Sequence, residues 1–107
     1  MNQHTLKERV HLEGVGIHSG KWGRLTIEPA SEGFGRQFLV GGIAIPAHVS
    51  AVIDTSRCTT LGYEGAKVST VEHLLSALYA LEIDNALIHL EGIEVPILDV
   101  KIGRAHV

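Results

Sequence analysis

Residues 70–82 contain neither glycine nor proline, and Val71, Leu74, Leu75, Leu78 and Glu82 recur there at helical spacing, with Ala77 and Leu81 beside them. A helix is predicted over 70–82. Its apolar surface is too wide for a helix that rests on a single sheet, because Leu74, Ala77, Leu78 and Leu81 carry the stripe around much of the cylinder. A second covering surface is therefore expected.

Elsewhere the chain reads as short strands punctuated by glycine. Leu6, Val10 and Leu12 alternate with Lys7, Arg9, His11 and Glu13, the pattern of a half-buried strand over 5–13, which Gly14-Val15-Gly16 then breaks or bulges. A second strand around 24–28, with Leu25 and Ile27 inward and Pro29 stopping it, is expected to pair with the first. Phe38-Leu39-Val40 and Ile43-Ala44-Ile45 flank Gly41-Gly42, which can supply the positive φ angles of a two-residue hairpin turn. A further pair is predicted at 58–61 and 66–68, joined through 62–65. Asp84-Asn85 closes the helix, and strands at 86–90 and 93–98 turn at Glu91-Gly92, with Pro96 pointing to an edge. The expected class is α+β: two layers, a mainly antiparallel sheet with one long helix on one face.

At 107 residues and 45% hydrophobic, the chain suffices for one packed core and shows no linker or repeat. The net charge of −3 is scattered, with no basic run to track a phosphate backbone, so nucleic acid is not an expected partner. A lone cysteine, Cys58, excludes an internal disulfide and a multi-cysteine metal cluster, which fits a reducing, cytoplasmic setting. The apolar stretches fall far short of the ~20 residues that span a bilayer, so no integral membrane segment is expected.

The chemistry concentrates where the helix begins. Ser69 and Glu72 have capping-box spacing, which explains Glu72 without any function. His73 lies in the first turn, where the helix dipole favours the neutral imidazole that can bind a metal, although a packed structural histidine fits the same position. Taken together, an adjacent Glu and His could supply a metal ligand and a carboxylate that takes a proton from water. The pair is not self-sufficient, since catalytic zinc usually has three protein ligands, and no second histidine follows at His-Glu-x-x-His spacing. Gly14-Val15-Gly16 fails as a dinucleotide loop because no helix follows it. Asp54 and Asp99 are expected to cap turns.

A longer series gives these residues a context: Gly14-Val15-Gly16-Ile17-His18-Ser19-Gly20, Ile45-Pro46-Ala47, Asp54-Thr55, Ser69-Thr70-Val71-Glu72-His73-Leu74-Leu75-Ser76-Ala77-Leu78, Ile83-Asp84-Asn85-Ala86 and Glu94-Val95-Pro96-Ile97-Leu98-Asp99. In this order and spacing the chain resembles the N-terminal half of the UDP-3-O-acyl-N-acetylglucosamine deacetylases of lipid A biosynthesis. The resemblance implies a cytoplasmic, zinc-dependent amidohydrolase acting on a UDP-linked, O-acylated N-acetylglucosamine. It implies that Glu72 is the general base and His73 one Zn2+ ligand, with the other ligands in a second half. It places His18 in a loop at the acyl-chain or active-site entrance, with a surface turn as the alternative. It also puts Cys58, in Ser56-Arg57-Cys58, beside the site, although its strand-like neighbours fit an ordinary buried thiol.

The implied fold pairs two similar α+β halves, of the type seen in domain 2 of ribosomal protein S5, with their helices packed between outer sheets. The absent C-terminal domain would then cover the 70–82 helix. The resemblance marks 1–99 as the N-terminal domain. Residues 100–107 depart from it, and 102–107 resemble the translation of a short-read sequencing adapter, so the tail is expected to be foreign and His106 receives no role. These expectations make the 107-residue chain inactive alone and prone to self-association through its uncovered helix. The rival reading is a non-catalytic binding or scaffold domain of the same fold.

Overall fold

A computed structural model of the chain describes residues 3–56, 58–92 and 94–96. Strands β1 (Val10–Val15), β2 (Trp22–Pro29), β3 (Arg36–Val40) and β4 (Ile43–Pro46) precede a 3-10 turn at Val49–Ala51. Then follow β5 (Val52–Asp54), β6 (Thr60–Tyr63), β7 (Ala66–Ser69), helix α1 (Glu72–Ala80) and β8 (Ala86–Glu91). The class is α+β, as the periodicity predicts.

Two sheets form. The larger has the order β1-β2-β8-β3-β4 and is antiparallel except where β3 runs parallel to β8. The smaller, β5-β6-β7, is antiparallel. Register explains the alternation in the sequence. Val10, Ile27, Ile88, Phe38 and Ile45 stand in one row across the larger sheet, and Leu12, Leu25, Leu90 and Val40 in the next, all facing inward. Their neighbours Arg9, His11, Arg24, Thr26, Glu28 and His89 face out, where Glu28 accepts from His89 (2.9 Å) and pairs with Arg9 (3.3 Å). Leu61 and Val68 from the smaller sheet, with Val71 at the helix cap and Leu74 and Leu78 from the helix, close the same core on its inner face.

The turns behave as their residues require. Gly41 and Gly42 both have positive φ (57° and 83°), and β3 pairs directly with β4 across them. The β6–β7 turn is a second such case, with Glu64 and Gly65 at 49° and 85°.

Several boundaries differ from the sequence reading. β1 starts at Val10, and Thr5 instead makes an isolated parallel bridge to Asn85, so the alternation before Val10 is not a strand. Cys58 precedes β6 rather than lying in it. After β8 the chain does not turn back upon it: Glu94 bridges Ser69, and the Val95 amide donates to the Ser69 carbonyl, so this segment joins the smaller sheet. It passes over β2 at Gly23, where a Cβ would come into van der Waals contact with the Glu94 carbonyl at 3.4 Å, and Pro96 is buried instead of marking an open edge. Residues 97–107, including Asp99 and the departing tail, lie outside the described residues.

The helix is shorter than its periodicity. It stops at Ala80 because Glu82 takes a left-handed conformation (φ 59°); the Glu82 amide bonds the Tyr79 carbonyl and the Ile83 amide the Leu78 carbonyl. This is a Schellman ending made by a glutamate where glycine is usual, which the sequence concealed. Replacing Glu82→Gly should remove the cost of that conformation and stabilise the protein by about 0.5–1 kcal/mol, read as a higher urea midpoint.

A candidate active site at the start of helix α1

β7 delivers the chain to α1 in two residues. Thr70 makes this turn with φ at 61°, a left-handed conformation that costs a β-branched residue on the order of 1–3 kcal/mol and therefore needs compensation. Two bonds supply it: the Thr70 amide donates to the Thr59 carbonyl (2.9 Å), and the Thr70 hydroxyl donates to the Glu94 carboxylate (2.6 Å). Val71 then caps the helix, and its carbonyl accepts the Leu75 amide at 3.0 Å.

The expected capping box is absent. Ser69 is the last residue of β7, and its hydroxyl meets that of its cross-strand partner Thr60 at 3.1 Å, so it does not reach the helix amides. Glu72 is likewise drawn elsewhere: its Oε1 accepts the Thr59 amide at 3.3 Å. With Thr70 left-handed, Val71 rather than Ser69 occupies the cap, and the sequence spacing of Ser69 and Glu72 no longer describes a cap. Glu72 is half-buried and His73, next to it in the first turn, is exposed.

Cys58 is a half-buried free thiol adjacent in sequence to Thr59, whose amide holds Glu72 and whose carbonyl holds Thr70. His18 lies in the loop after β1, exposed, with its amide bonded to the Glu94 carboxylate. The fold thus ties the segments carrying all four expected site residues to the turn before α1. Among the described residues no three His, Cys, Asp or Glu side chains are grouped so as to hold a metal. Asp54 has the turn role expected of it: its Oδ1 accepts the Ser56 amide at 2.9 Å, which holds its carboxyl below the ordinary value.

The residue that sequence reasoning passed over is Glu94. It is only 4% exposed, yet its two oxygens accept from the Thr70 hydroxyl (2.6 Å), the Ser19 amide (2.8 Å) and the His18 amide (3.1 Å). Gly16 makes room for it, since a Cβ there would overlap Oε1. The available signal was an acidic residue inside the apolar run Ile93, Val95, Pro96, Ile97: a buried charge has to be paired or hydrogen-bonded.

Burial by itself would raise the Glu94 pKa, but the bonds from Thr70, Ser19 and His18 outweigh it and hold the carboxyl at about 2. A carboxyl depressed in the folded state stabilises fully above its unfolded value near 4.5, and that contribution is lost as pH falls toward 2. The loss is on the order of 3 kcal/mol, taking about 1.4 kcal/mol per unit. Unfolding measured from pH 6 to pH 2 should show this acid-side decline, and Glu94→Gln should flatten it while lowering stability at pH 6. An unchanged slope in the variant would contradict the assignment.

The sequence profile of the UDP-3-O-acyl N-acetylglycosamine deacetylase family matches residues 3–101. The chain is 47% identical over 95 residues to the UDP-3-O-acyl-N-acetylglucosamine deacetylase of Aquifex aeolicus, an alignment covering 89% of this chain and 34% of that protein. Its identity to the enzymes of the same name from Myxococcus xanthus and Chlamydia muridarum is 48% over 102 residues and 49% over 100. The chain spans about a third of the length of these curated relatives. With the profile matching nearly all of its length, including the β7–α1 turn and Glu94, the chain belongs to the UDP-3-O-acyl N-acetylglycosamine deacetylase family.

Proposed function

We propose that this chain is the N-terminal part of a zinc-dependent deacetylase that removes the acetyl group from a UDP-linked, 3-O-acylated N-acetylglucosamine in lipid A biosynthesis. One observation carries the assignment of roles: Glu72 and His73 open α1 side by side, and Glu72 is held by the Thr59 amide rather than spent on capping its own helix. That weighs against a scaffold in which Glu72 is merely a cap.

The donor set fits a shared zinc site. An imidazole on an exposed first helical turn is an ordinary zinc ligand, and the remaining ligands would come from the portion of the family's length outside this chain. Zinc, when bound, would supply Lewis-acid polarisation of the amide carbonyl and make a water molecule easier to deprotonate. Glu72 would take a proton from the attacking water as general base. Water adds to the acetamide carbon, the C–N bond breaks, nitrogen gains a proton, and acetate and the free amine leave. His18 and Cys58, on the two segments tied to the turn, would border the entrance for the substrate.

The helix supports an assembled enzyme larger than this chain. Val71, Leu74 and Leu78 are buried, but Tyr79 is 77% and Leu81 70% exposed, and Ala77 and Ala80 are exposed between them. A soluble protein covers such a flank, and we assign that covering to the C-terminal domain. No helix among the described residues is long and apolar enough to cross a membrane. A free Cys58 agrees with a cytoplasmic location.

In a full-length protein carrying this segment, Glu72→Gln should cut deacetylation at least about a hundredfold with zinc content unchanged, whereas His73→Ala should lose zinc as well as activity. Undiminished turnover in Glu72→Gln would refute its role as base. Residues 1–107 alone should neither retain stoichiometric zinc nor hydrolyse substrate, and metal analysis with an acetate-release assay checks both.

A further inference from the structure

We propose that Glu94 is a positioning residue: through Thr70 its buried carboxylate fixes the strained turn that seats Glu72 and His73, and through the His18 and Ser19 amides it holds the 16–20 loop to the same turn. This inference rests on the roles just assigned to Glu72 and His73.

The geometry leaves little freedom in the arrangement. Thr70 is two residues before Glu72 and three before His73, so its φ of 61° sets the direction in which α1 leaves β7. A left-handed threonine persists only where surrounding bonds determine it, and here those bonds are the Thr59 carbonyl and the Glu94 carboxylate. Thr59 is also where Glu72 is anchored, through the amide of the same residue whose carbonyl accepts Thr70. A shift of the Thr70 turn would therefore move the Glu72 seat.

The same carboxylate governs the loop. Gly16 donates its amide to the Lys21 carbonyl and accepts the Gly20 amide, both at 2.9 Å, closing residues 16–20 into a compact turn whose inner amides at 18 and 19 point at Glu94. Glu94 in turn is fixed by its bridge to Ser69, immediately before Thr70. Two segments distant in sequence share one charged acceptor, and neither the loop nor the helix start can shift while both keep their bonds to it. A carboxylate is suited to this task, because it accepts several bonds at once and charge-assisted bonds are stronger than neutral ones.

The test uses three variants in the full-length, zinc-loaded protein. Thr70→Val keeps the shape and removes the hydroxyl; Thr70→Ser keeps the hydroxyl; Gly16→Ala displaces the carboxylate from its loop side without touching Thr70. We expect Thr70→Val and Gly16→Ala to lower kcat by about tenfold to a hundredfold with KM within about twofold, the scale of a small misplacement, and Thr70→Ser to restore kcat. Assays run well below each variant's Tm separate this from lost stability. A readout independent of turnover is amide hydrogen exchange: in Thr70→Val the Ser19 and Thr59 amides should exchange faster together, Thr59 reporting the Glu72 seat.

Folded Thr70→Val and Gly16→Ala proteins with normal kcat would overturn the proposal, as would equal losses in Thr70→Ser and Thr70→Val. Faster exchange at Ser19 with Thr59 unchanged would do the same. Should one variant fail to fold, the others, which disturb the site from opposite sides, still decide. If instead Glu72→Gln keeps full turnover, the proposed function fails, while the exchange coupling still judges the Glu94 tie separately.

Discussion

A carboxylate removed from water keeps its charge only where other donors replace the hydration it has lost. Glu94 meets that condition with one hydroxyl and two backbone amides drawn from two distant parts of the chain. Much around it follows from satisfying this one group. The loop after β1 folds inward to present its amides, Gly16 gives up a side chain, and Thr70 accepts a left-handed backbone so that its hydroxyl can reach. The chain leaving β8 crosses to the smaller sheet rather than pairing back, which is what carries Glu94 to this position. No buried side-chain nitrogen or oxygen among the described residues is left without a partner.

The sheet and helix provide the frame within which that interaction acts. Inward rows of leucine, isoleucine and phenylalanine across β1, β2, β8, β3 and β4 make one rigid face, and α1 with the β5–β7 sheet covers it. The first turn of α1 consequently lies at the margin of a packed core, where side chains can be both anchored and open to solvent. Glu72 and His73 show the two halves of that condition, one half-buried and bonded, the other exposed. The far flank of the helix, with Tyr79 and Leu81 in the open, is the surface this chain does not cover for itself.

Local chemistry was legible wherever a short-range rule sufficed. Gly41-Gly42 announced its hairpin because adjacent positive φ angles are cheap only for glycine, and the alternation of Leu25 and Ile27 with Arg24, Thr26 and Glu28 announced β2. Short-range rules misled where a distant partner was at stake. Ser69 and Glu72 have capping-box spacing, but Thr60 and Thr59, brought alongside by the β6–β7 pairing, offered competing bonds. Helical periodicity ran on to Glu82, yet the Schellman bonds of Glu82 and Ile83 closed the helix at Ala80.

The sequence by itself determined the α+β class and the place of helix α1, and its resemblance to a known family singled out Glu72 and His73 as the residues to watch. The class and the helix rest on periodicity and turn residues, which act within a few neighbours along the chain, and the resemblance on a series of motifs whose order runs along nearly all of it. Only the tertiary structure decided that Glu72 is anchored to Thr59, that Thr70 is strained, and that Glu94 binds the His18 loop to the helix start. Those features join residues up to 76 positions apart, and the requirement behind them, a partner for every buried polar group, shows in local sequence only as an acidic residue in an apolar run and names no partner until the chain is folded.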